Sequence, residues 1–356
     1  MRKLNNIIIT GGAGFIGSNL IRYLFKSSDF TGNIINVDNL TYAGNASNLD
    51  DISAQYGASK YFFEHVDICD QAKIEEIINK YEVDTIVHLA AESHVDRSIF
   101  GPSDFIKTNI FGTFSLLEAV RKLWHGRQDV LFHHVSTDEV FGSLGEEGFF
   151  KEETAYDPRS PYSASKASSD HLARAYNHTY NLPITLSNCS NNYGPYQFPE
   201  KLIPLTILNI INGKDLPVYG DGKNIRDWLY VEDHNSAVWE IMKNGCIGDS
   251  YNIGGENEWE NIKLVNRICE IVAKKEGKDE SSYKKLIKFV SDRPGHDRRY
   301  AIDCSKLKKE LNWKQSVDFD KGLELTVDWY IENQKWVNNV ISGDYRNWIE
   351  NNYSKR

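Results

Sequence analysis

A glycine-rich turn near the start of the chain constrains its fold more than any other feature. Ile7-Ile8-Ile9 is a short apolar run of β-branched residues. Thr10-Gly11-Gly12-Ala13-Gly14-Phe15-Ile16-Gly17-Ser18 follows, and Asn19 to Leu24 then has apolar residues at helical spacing. Strand, turn and helix in that order make a dinucleotide-binding fingerprint. Gly12, Gly14 and Gly17 satisfy it, as do Gly11, Gly14 and Gly17 in the spacing with one extra residue. The glycines allow a tight turn and close approach of backbone to a pyrophosphate, and the helix start offers it free N–H groups. Three glycines alone also occur in ordinary loops, so the next strand matters. Ile34-Ile35-Asn36-Val37 ends at Asp38, about 20 residues past the last glycine, where a carboxylate reaches both ribose hydroxyls. An anion there repels a 2′-phosphate and favours NAD over NADP. An ordinary turn aspartate would stand in the same place.

Further strand ends follow at the same rhythm. Tyr61 to Val66 leads to Asp67-Ile68, a plausible adenine contact, and Thr85 to Leu89 leads to the small residues Ala90 and Ala91. Val130 to Val135 reads as the next strand, with Ser136-Thr137-Asp138-Glu139 at its carboxyl end, where open parallel sheets bind ligands. Helical segments at Gln71–Tyr81 and Asp104–Leu123 complete alternating units. The expected fold is α/β, a Rossmann-type doubly wound parallel sheet with a smaller, mixed α/β domain. At 356 residues the chain is long for one core. Residues 1–190 should form the NAD-binding domain, with return segments near 228–255, and residues 191–227 and 256–356 the interleaved second domain. Phe319 to Val340 reads as helix, with Trp329 and Trp336 as packing residues. The asparagine-rich last residues read as a modest helix and a frayed tail.

Composition excludes several classes of function. The net charge of −9 and the lack of a basic run argue against a nucleic-acid surface. Ile7 to Ile9 is too short for a signal core, and no stretch is long enough to span a membrane, so a cytoplasmic protein is expected. Five scattered cysteines read as reduced thiols. No metal is expected: no cysteine pair has ligand spacing, and His88, His94, His133 and His134 fit strand or turn positions better than a ligand set.

Chemistry concentrates in Thr137-Asp138-Glu139 and in Tyr162-Ser-Ala-Ser-Lys166. Residues four apart on a helix share a face, so the ammonium can draw the phenol towards ionisation. Neutrality needs about three pKa units, about 4 kcal/mol. One charge roughly 4 Å away supplies about that much at an effective dielectric of about 20. A tyrosine and a lysine at this spacing are often two unrelated surface side chains; here the glycine turn and the acid pair accompany them. Two carboxylates beside the threonine suggest chemistry beyond hydride transfer. Past Asn191 glycines and prolines become denser, as loops folded over a site would require. Arg226 and Arg293 lie in those loops. Holding an anionic substrate and pairing with Asp227 or Asp292 at the surface explain them equally well.

Together, Thr10–Gly17, Asp38, Ser136–Gly142 and Tyr162–Lys166 resemble an extended short-chain dehydrogenase/reductase. Over nearly its whole length the chain resembles, more narrowly, the dTDP-glucose 4,6-dehydratase family. The segments that carry this are Ala91–Ser98, Ser136–Gly142, Asn188–Pro204 and Arg226–Asp233. Sugar epimerases of the superfamily usually lack the acid pair. The resemblance implies dehydration of dTDP-glucose with NAD, with Thr137, Asp138, Glu139, Tyr162 and Lys166 as catalytic residues. It implies cofactor contacts at Gly11, Gly14, Phe15, Ile16, Gly17, Asp38, Asn39, Leu40, Thr41, Asp67, Ile68, Leu89, Ala90, Ala91, Thr108, Tyr162, Lys166 and Asn192. For the nucleotide sugar it implies Ser93, Thr137, Asn191, Lys201, Leu202, Tyr219, Arg226, Asn261, Arg293 and His296. It further implies a homodimer through the helices of Asp104–Leu123 and Tyr162–Tyr180. A nucleotide-sugar epimerase, a dehydratase of another nucleotide sugar and a non-catalytic dinucleotide sensor are the alternatives. The intact catalytic set weighs against the sensor.

Overall fold

A computed structural model describes residues 2–57 and 59–341. Seven parallel strands form the main sheet: β1 (Asn6–Thr10), β2 (Asn33–Asp38), β3 (Tyr61–His65), β4 (Thr85–His88), β5 (Leu131–Thr137), β6 (Ile184–Cys189) and β10 (Ser250–Ile253). Their order across the sheet is β10-β6-β5-β4-β1-β2-β3. The order reverses between β1 and β4, so the loops after these strands splay apart and leave a crevice at their carboxyl ends. Alternation along β1 shows why this segment is a central strand. Ile7 and Ile9 enter one apolar layer with Leu20, Leu24 and Ile241, while Ile8 enters the opposite layer with Ile86, Leu116 and Phe132. Each isoleucine is fully buried, a contribution of about 2–3 kcal/mol apiece.

Two small sheets stand beyond this layer. One joins β7 (Asn191–Tyr193), β9 (Ile225–Tyr230) and β11 (Glu258–Glu260); the other pairs β8 (Leu216–Tyr219) with β12 (Ile287–Val290). They share a third apolar core in which Ile203, Ile207, Leu264, Ile268, Leu323 and Tyr330 pack. The chain returns to the main sheet between them. The Val231–Asn244 helix packs against Phe15–Lys26, and β10 pairs with β6.

Several expected elements differ in detail. The segment 104–123 is not one regular helix: Ile106–Gly112 is π-helical, between Pro102–Phe105 and Thr113–Leu123. Inside that wider turn the Asn109 carboxamide binds both the N–H and the carbonyl of Glu92, at 2.9 and 3.0 Å. The helix expected over 319–340 breaks at Asn333 into Phe319–Glu332 and Gln334–Val340. Trp329 and Trp336 pack edge-on to each other and against Tyr196, as packing residues should. The expected terminal helix and tail lie outside the described residues.

Candidate active site

The crevice runs from Asp38 and Asp67 at one end to Tyr162 and Glu139 at the other. Of the residues expected at the cofactor, Gly11, Gly14, Phe15, Ile16, Gly17, Asp38, Asn39, Thr41, Asp67, Ile68, Leu89, Ala90, Ala91, Thr108, Tyr162, Lys166 and Asn192 line it. Leu40 does not. It sits at φ 50 and gives its N–H to Asp38 Oδ1 at 2.8 Å. Ala13 N donates to the other Asp38 oxygen at 2.9 Å. Asp38 therefore shapes its turn and keeps lone pairs facing the crevice.

These residues fit a dinucleotide. Gly11 has φ +70, and a Cβ there would stand 2.8 Å from the backbone of Ala90. A Cβ on Gly14 would meet protein only at Gly11 O, 3.2 Å away. The Phe15–Lys26 helix starts with no side-chain cap, so its first N–H groups face the crevice ready for an anion. Further along, Oδ1 of Asn191 and of Asn192 is buried without a partner.

At the reactive end, β5 delivers Thr137 and a short 3₁₀ turn delivers Asp138 and Glu139. The Pro161–Tyr180 helix begins with a capping box: Ser163 N donates to Ser160 Oγ at 3.0 Å and Ser160 N to Ser163 Oγ at 2.9 Å. That fixes Tyr162 in the first turn, facing Thr137. Thr137 stands between the two halves, close to the Tyr162 phenol and donating to Asp138 Oδ1 at 3.3 Å. Asp138 is 2% exposed and its Oδ2 has no partner. Burial first, then the charges of Glu139 and Asp227, push its pKa well above the ordinary range. Glu139 is raised too, mainly by burial, but Arg293, Arg226 and Lys201 all oppose the rise. Neighbouring carboxyls thus differ in how readily they ionise.

Lys166, with an oxidised nicotinamide adding to it, is the group expected to draw Tyr162 towards ionisation. The phenol lies well above its ordinary pKa, through burial first and the negative charge of Glu139 next. Lys166 Nζ donates to the Val135 carbonyl at 2.9 Å. Burial thus works against the phenolate that the ammonium and a bound nicotinamide would favour.

Ser93, Thr137, Asn191 and Lys201 line the same crevice, with Lys201 Nζ on the Ser93 carbonyl at 3.0 Å. Tyr219, Arg226, Arg293 and His296 form a second group beside Asp138 and Glu139. Tyr219 OH binds Asp96 Oδ2 at 2.8 Å, and Arg293 meets Asp96 Oδ1 at 3.4 Å. Arg226 lies 4.2 Å from the Tyr300 ring and donates to the Asp297 carbonyl at 3.0 Å. His296 binds Asp292 at 2.6 Å, with its pKa lowered to about 4 by burial first and then by Arg293 and Arg226. Neither arginine forms the surface pair considered for it: Asp227 instead takes the N–H groups of Gly255 and Asn257, at 2.8 and 2.7 Å. Leu202 and Asn261, each at a helix start, stand outside the crevice lining. The histidines once weighed as ligands are engaged elsewhere, His88 by Thr10 and Thr113 and His133 by Thr185 and Ser187.

Reasoning from sequence missed Tyr42, Glu92, Gln197, Phe198 and Glu200 in the lining. Tyr42 directly follows Asp38–Thr41, and Gln197 to Glu200 lie inside the segment Asn188–Pro204, so adjacency was the available signal. Glu200, 4% exposed, pairs with Arg97 at 3.2 Å, and Arg97 covers the Tyr42 ring at 3.8 Å.

Comparison with known proteins agrees with this geometry. The family model described as GDP-mannose 4,6 dehydratase matches residues 8–326. A dTDP-glucose 4,6-dehydratase of Salmonella typhimurium is 54% identical, with 98% of this chain and 99% of that protein covered. Among solved structures, the dTDP-glucose 4,6-dehydratase of Bacillus anthracis in complex with NAD is similar at TM-score 0.84 and 46% identity, covering 94% of this chain and 99% of that one. The Streptomyces venezuelae enzyme, also with NAD bound, gives 0.85 and 43%, covering 93% and 98%. By these matches and by the paired carboxyls beside Thr137, the chain belongs to the dTDP-glucose 4,6-dehydratases, within the GDP-mannose 4,6 dehydratase family.

Proposed function

We propose that this protein converts dTDP-glucose to dTDP-4-keto-6-deoxy-glucose, with NAD held between turnovers in the crevice of the main sheet. The observation that carries the reading is the pair Asp138 and Glu139, adjacent, unequally ionisable, and set beside Thr137 and Tyr162. Held among Gly11, Asp38 and Asn192, NAD would supply a hydride acceptor for C4, a hydride donor for C6 and positive charge beside the phenol.

The residues of the chain manage the protons. Tyr162 takes the proton of the sugar 4-hydroxyl as C4 becomes a carbonyl. That carbonyl acidifies C5–H, which Glu139 removes, while Asp138, the carboxyl more strongly held in its acid form, protonates the departing 6-hydroxyl. Glu139 then returns its proton to C5. At the end Tyr162 holds one proton too many and Asp138 one too few. Thr137 Oγ1, beside the phenol and bonded to Asp138, is placed to carry that proton across and reset the site. Arg226, Arg293 and Lys201 place positive charge where a diphosphate and the Glu139 carboxylate are both served.

Partial support for the division into domains comes from the apolar cores: Ile203, Ile207, Leu264 and Leu323 pack under the small sheets, whereas Leu307 and Trp313 pack with the main sheet. We read 1–190 with the return near 228–255 as the cofactor domain, and 191–227 with 256–356 as the sugar domain. Exposed Phe100, Ile106, Phe111, Phe114 and Tyr180 along the helices of 95–123 and 161–180 support a homodimer. Light scattering of the purified chain checks that. Five unpaired cysteines suit the cytoplasm. No helix among the described residues is long and apolar enough to cross a membrane.

The deciding experiment incubates purified protein, with no cofactor added, with dTDP-glucose deuterated at C4. Loss of water with deuterium at C6 is expected. Unchanged sugar, even with NAD supplied, would overturn the reading.

A further inference from the structure

We propose that Asp170 is a positioning residue for this reaction: a buried counter-charge that keeps Lys166 an ammonium beside Tyr162. The proposal rests on the roles of Tyr162 and Lys166 given above. Tyr162, Lys166 and Asp170 succeed one another at intervals of four along the Pro161–Tyr180 helix and so share one face. They are 8%, 5% and 0% exposed. Asp170 does not line the crevice, so it acts only through its neighbours.

The surroundings of Asp170 are built for an anion. Its Oδ1 accepts from His134 Nε2 at 2.9 Å, and its Oδ2 from Ser136 Oγ at 2.7 Å and Tyr156 OH at 2.9 Å. Three converging donors suit a group that can only accept. Despite full burial its pKa lies below the ordinary range, with the His134 hydrogen bond and the Lys166 charge among the causes that overcome desolvation. His134 does not itself neutralise this charge. Burial lowers its pKa, and its Nδ1 is buried without a partner, as in a neutral ring protonated at Nε2. A fully buried carboxylate needs a cation close by, and the Lys166 ammonium lies one helical turn away.

The dependence runs in both directions. The hydrogen bond of Lys166 Nζ goes to a neutral carbonyl, and burial favours its uncharged amine. Around it stand Tyr162 and Asp170 on its own helix, His134 from β5, His88 from β4 and Cys189 from β6. Of these, Asp170 most strongly and the thiol less so favour the charged lysine, while both imidazoles are held neutral by burial. Arg174, one turn beyond Asp170, reaches Tyr156 OH at 3.4 Å. Without Asp170, Lys166 would surrender its proton at a lower pH and Tyr162 would lose its cationic neighbour.

Two measurements test this. Thermal unfolding of the full chain is compared among wild type, Asp170→Asn, Lys166→Met and the double variant. Asparagine is nearly isosteric, and the Ser136 and Tyr156 hydroxyls can turn to accept from its amide. Lys166→Met strands a buried carboxylate and should lower Tm by roughly 3–6 °C; adding Asp170→Asn should recover most of that loss. A double variant no more stable than Lys166→Met overturns the proposal, even if Asp170→Asn alone fails to fold. This arm needs no substrate, so it decides the matter even if dTDP-glucose is not turned over. The second measurement is the pH profile of single-turnover C4 oxidation by Asp170→Asn, a step that does not use the Asp138 acid. The alkaline limb, where Lys166 loses its proton, should move down by about one to two pH units, with KM changed less than about twofold. An unmoved limb leaves Asp170 a packing residue and refutes the role.

Discussion

The two sides of the crevice are built by different means. On the sheet side, Gly11, Asp38, Thr137 and Tyr162 are placed by strand ends, helix starts and backbone hydrogen bonds, such as those from Ala13 and Leu40 to Asp38. Opposite them, Arg293, Tyr219 and Arg226 are placed by side-chain contacts between distant parts of the chain, with Asp96 meeting Tyr219 and Arg293 across 123 and 197 residues. Reacting groups gain accuracy from secondary structure, which tolerates little change. Groups held by side-chain pairs can be retuned one at a time. Substitutions on the sheet side should therefore abolish steps, and those opposite should shift constants.

The largest expected effect is that of Tyr162→Phe, which removes the only group assigned to the 4-hydroxyl proton. Oxidation at C4 should fall by about 10³- to 10⁴-fold while the ring still fills its place against Phe105. Single-turnover measurement with C4-deuterated sugar checks this, and near-normal oxidation would remove the mechanism. Glu139→Gln should be milder and separable. C4 is still oxidised, but elimination slows by about 10²- to 10³-fold, so a 4-keto sugar that retains its 6-hydroxyl accumulates and can be trapped with borodeuteride. Normal elimination would show that another group removes the C5 proton.

Gly11→Ala ranks next and tests the backbone side of the comparison. The residue has φ +70 and a Cβ would stand 2.8 Å from Ala90 N, so strain of about 1–3 kcal/mol is expected. Cofactor content after dialysis should correspond to roughly 10- to 100-fold weaker retention. Full retention would mean that the turn relaxes freely.

The same contrast explains what could be read from the sequence. Strand–turn–helix order, Asp38 and the residues at the end of β5 are local patterns, so the sheet, the cofactor crevice and the catalytic cluster were legible. The interval Tyr162 to Lys166 was legible as geometry but not as energy. The raised pKa of the phenol depends on burial and on Glu139, and neither shows in a spacing of four. Arg226 and Arg293 could not be told from surface arginines, because their partners are a carbonyl at Asp297 and a carboxylate at Asp96, far away in the chain. Asn333 divides a stretch whose apolar spacing runs on unbroken, since the break lies in the backbone and not in the pattern.

The smallest effect expected is the sharpest test of the far side. Arg293 is the leading group that restrains the Glu139 pKa against burial, and it also meets Asp96. If Arg293 serves only to fasten Asp96, replacing it should raise KM and leave the pH profile alone. If it also sets the base, Arg293→Gln has a signed consequence. Loss of its charge lets the Glu139 pKa rise further, so more of the base is protonated at a given pH. The acid limb of kcat should then move to higher pH by about one unit. Asp96 keeps Tyr219 OH at 2.8 Å, so the cluster does not simply fall apart. A pH–rate profile at saturating sugar separates the outcomes, because saturation removes the binding defect and leaves only the titration of the base. A limb that stays in place would assign Glu139's tuning to Arg226 and Lys201, and would leave Arg293 as a binding group alone.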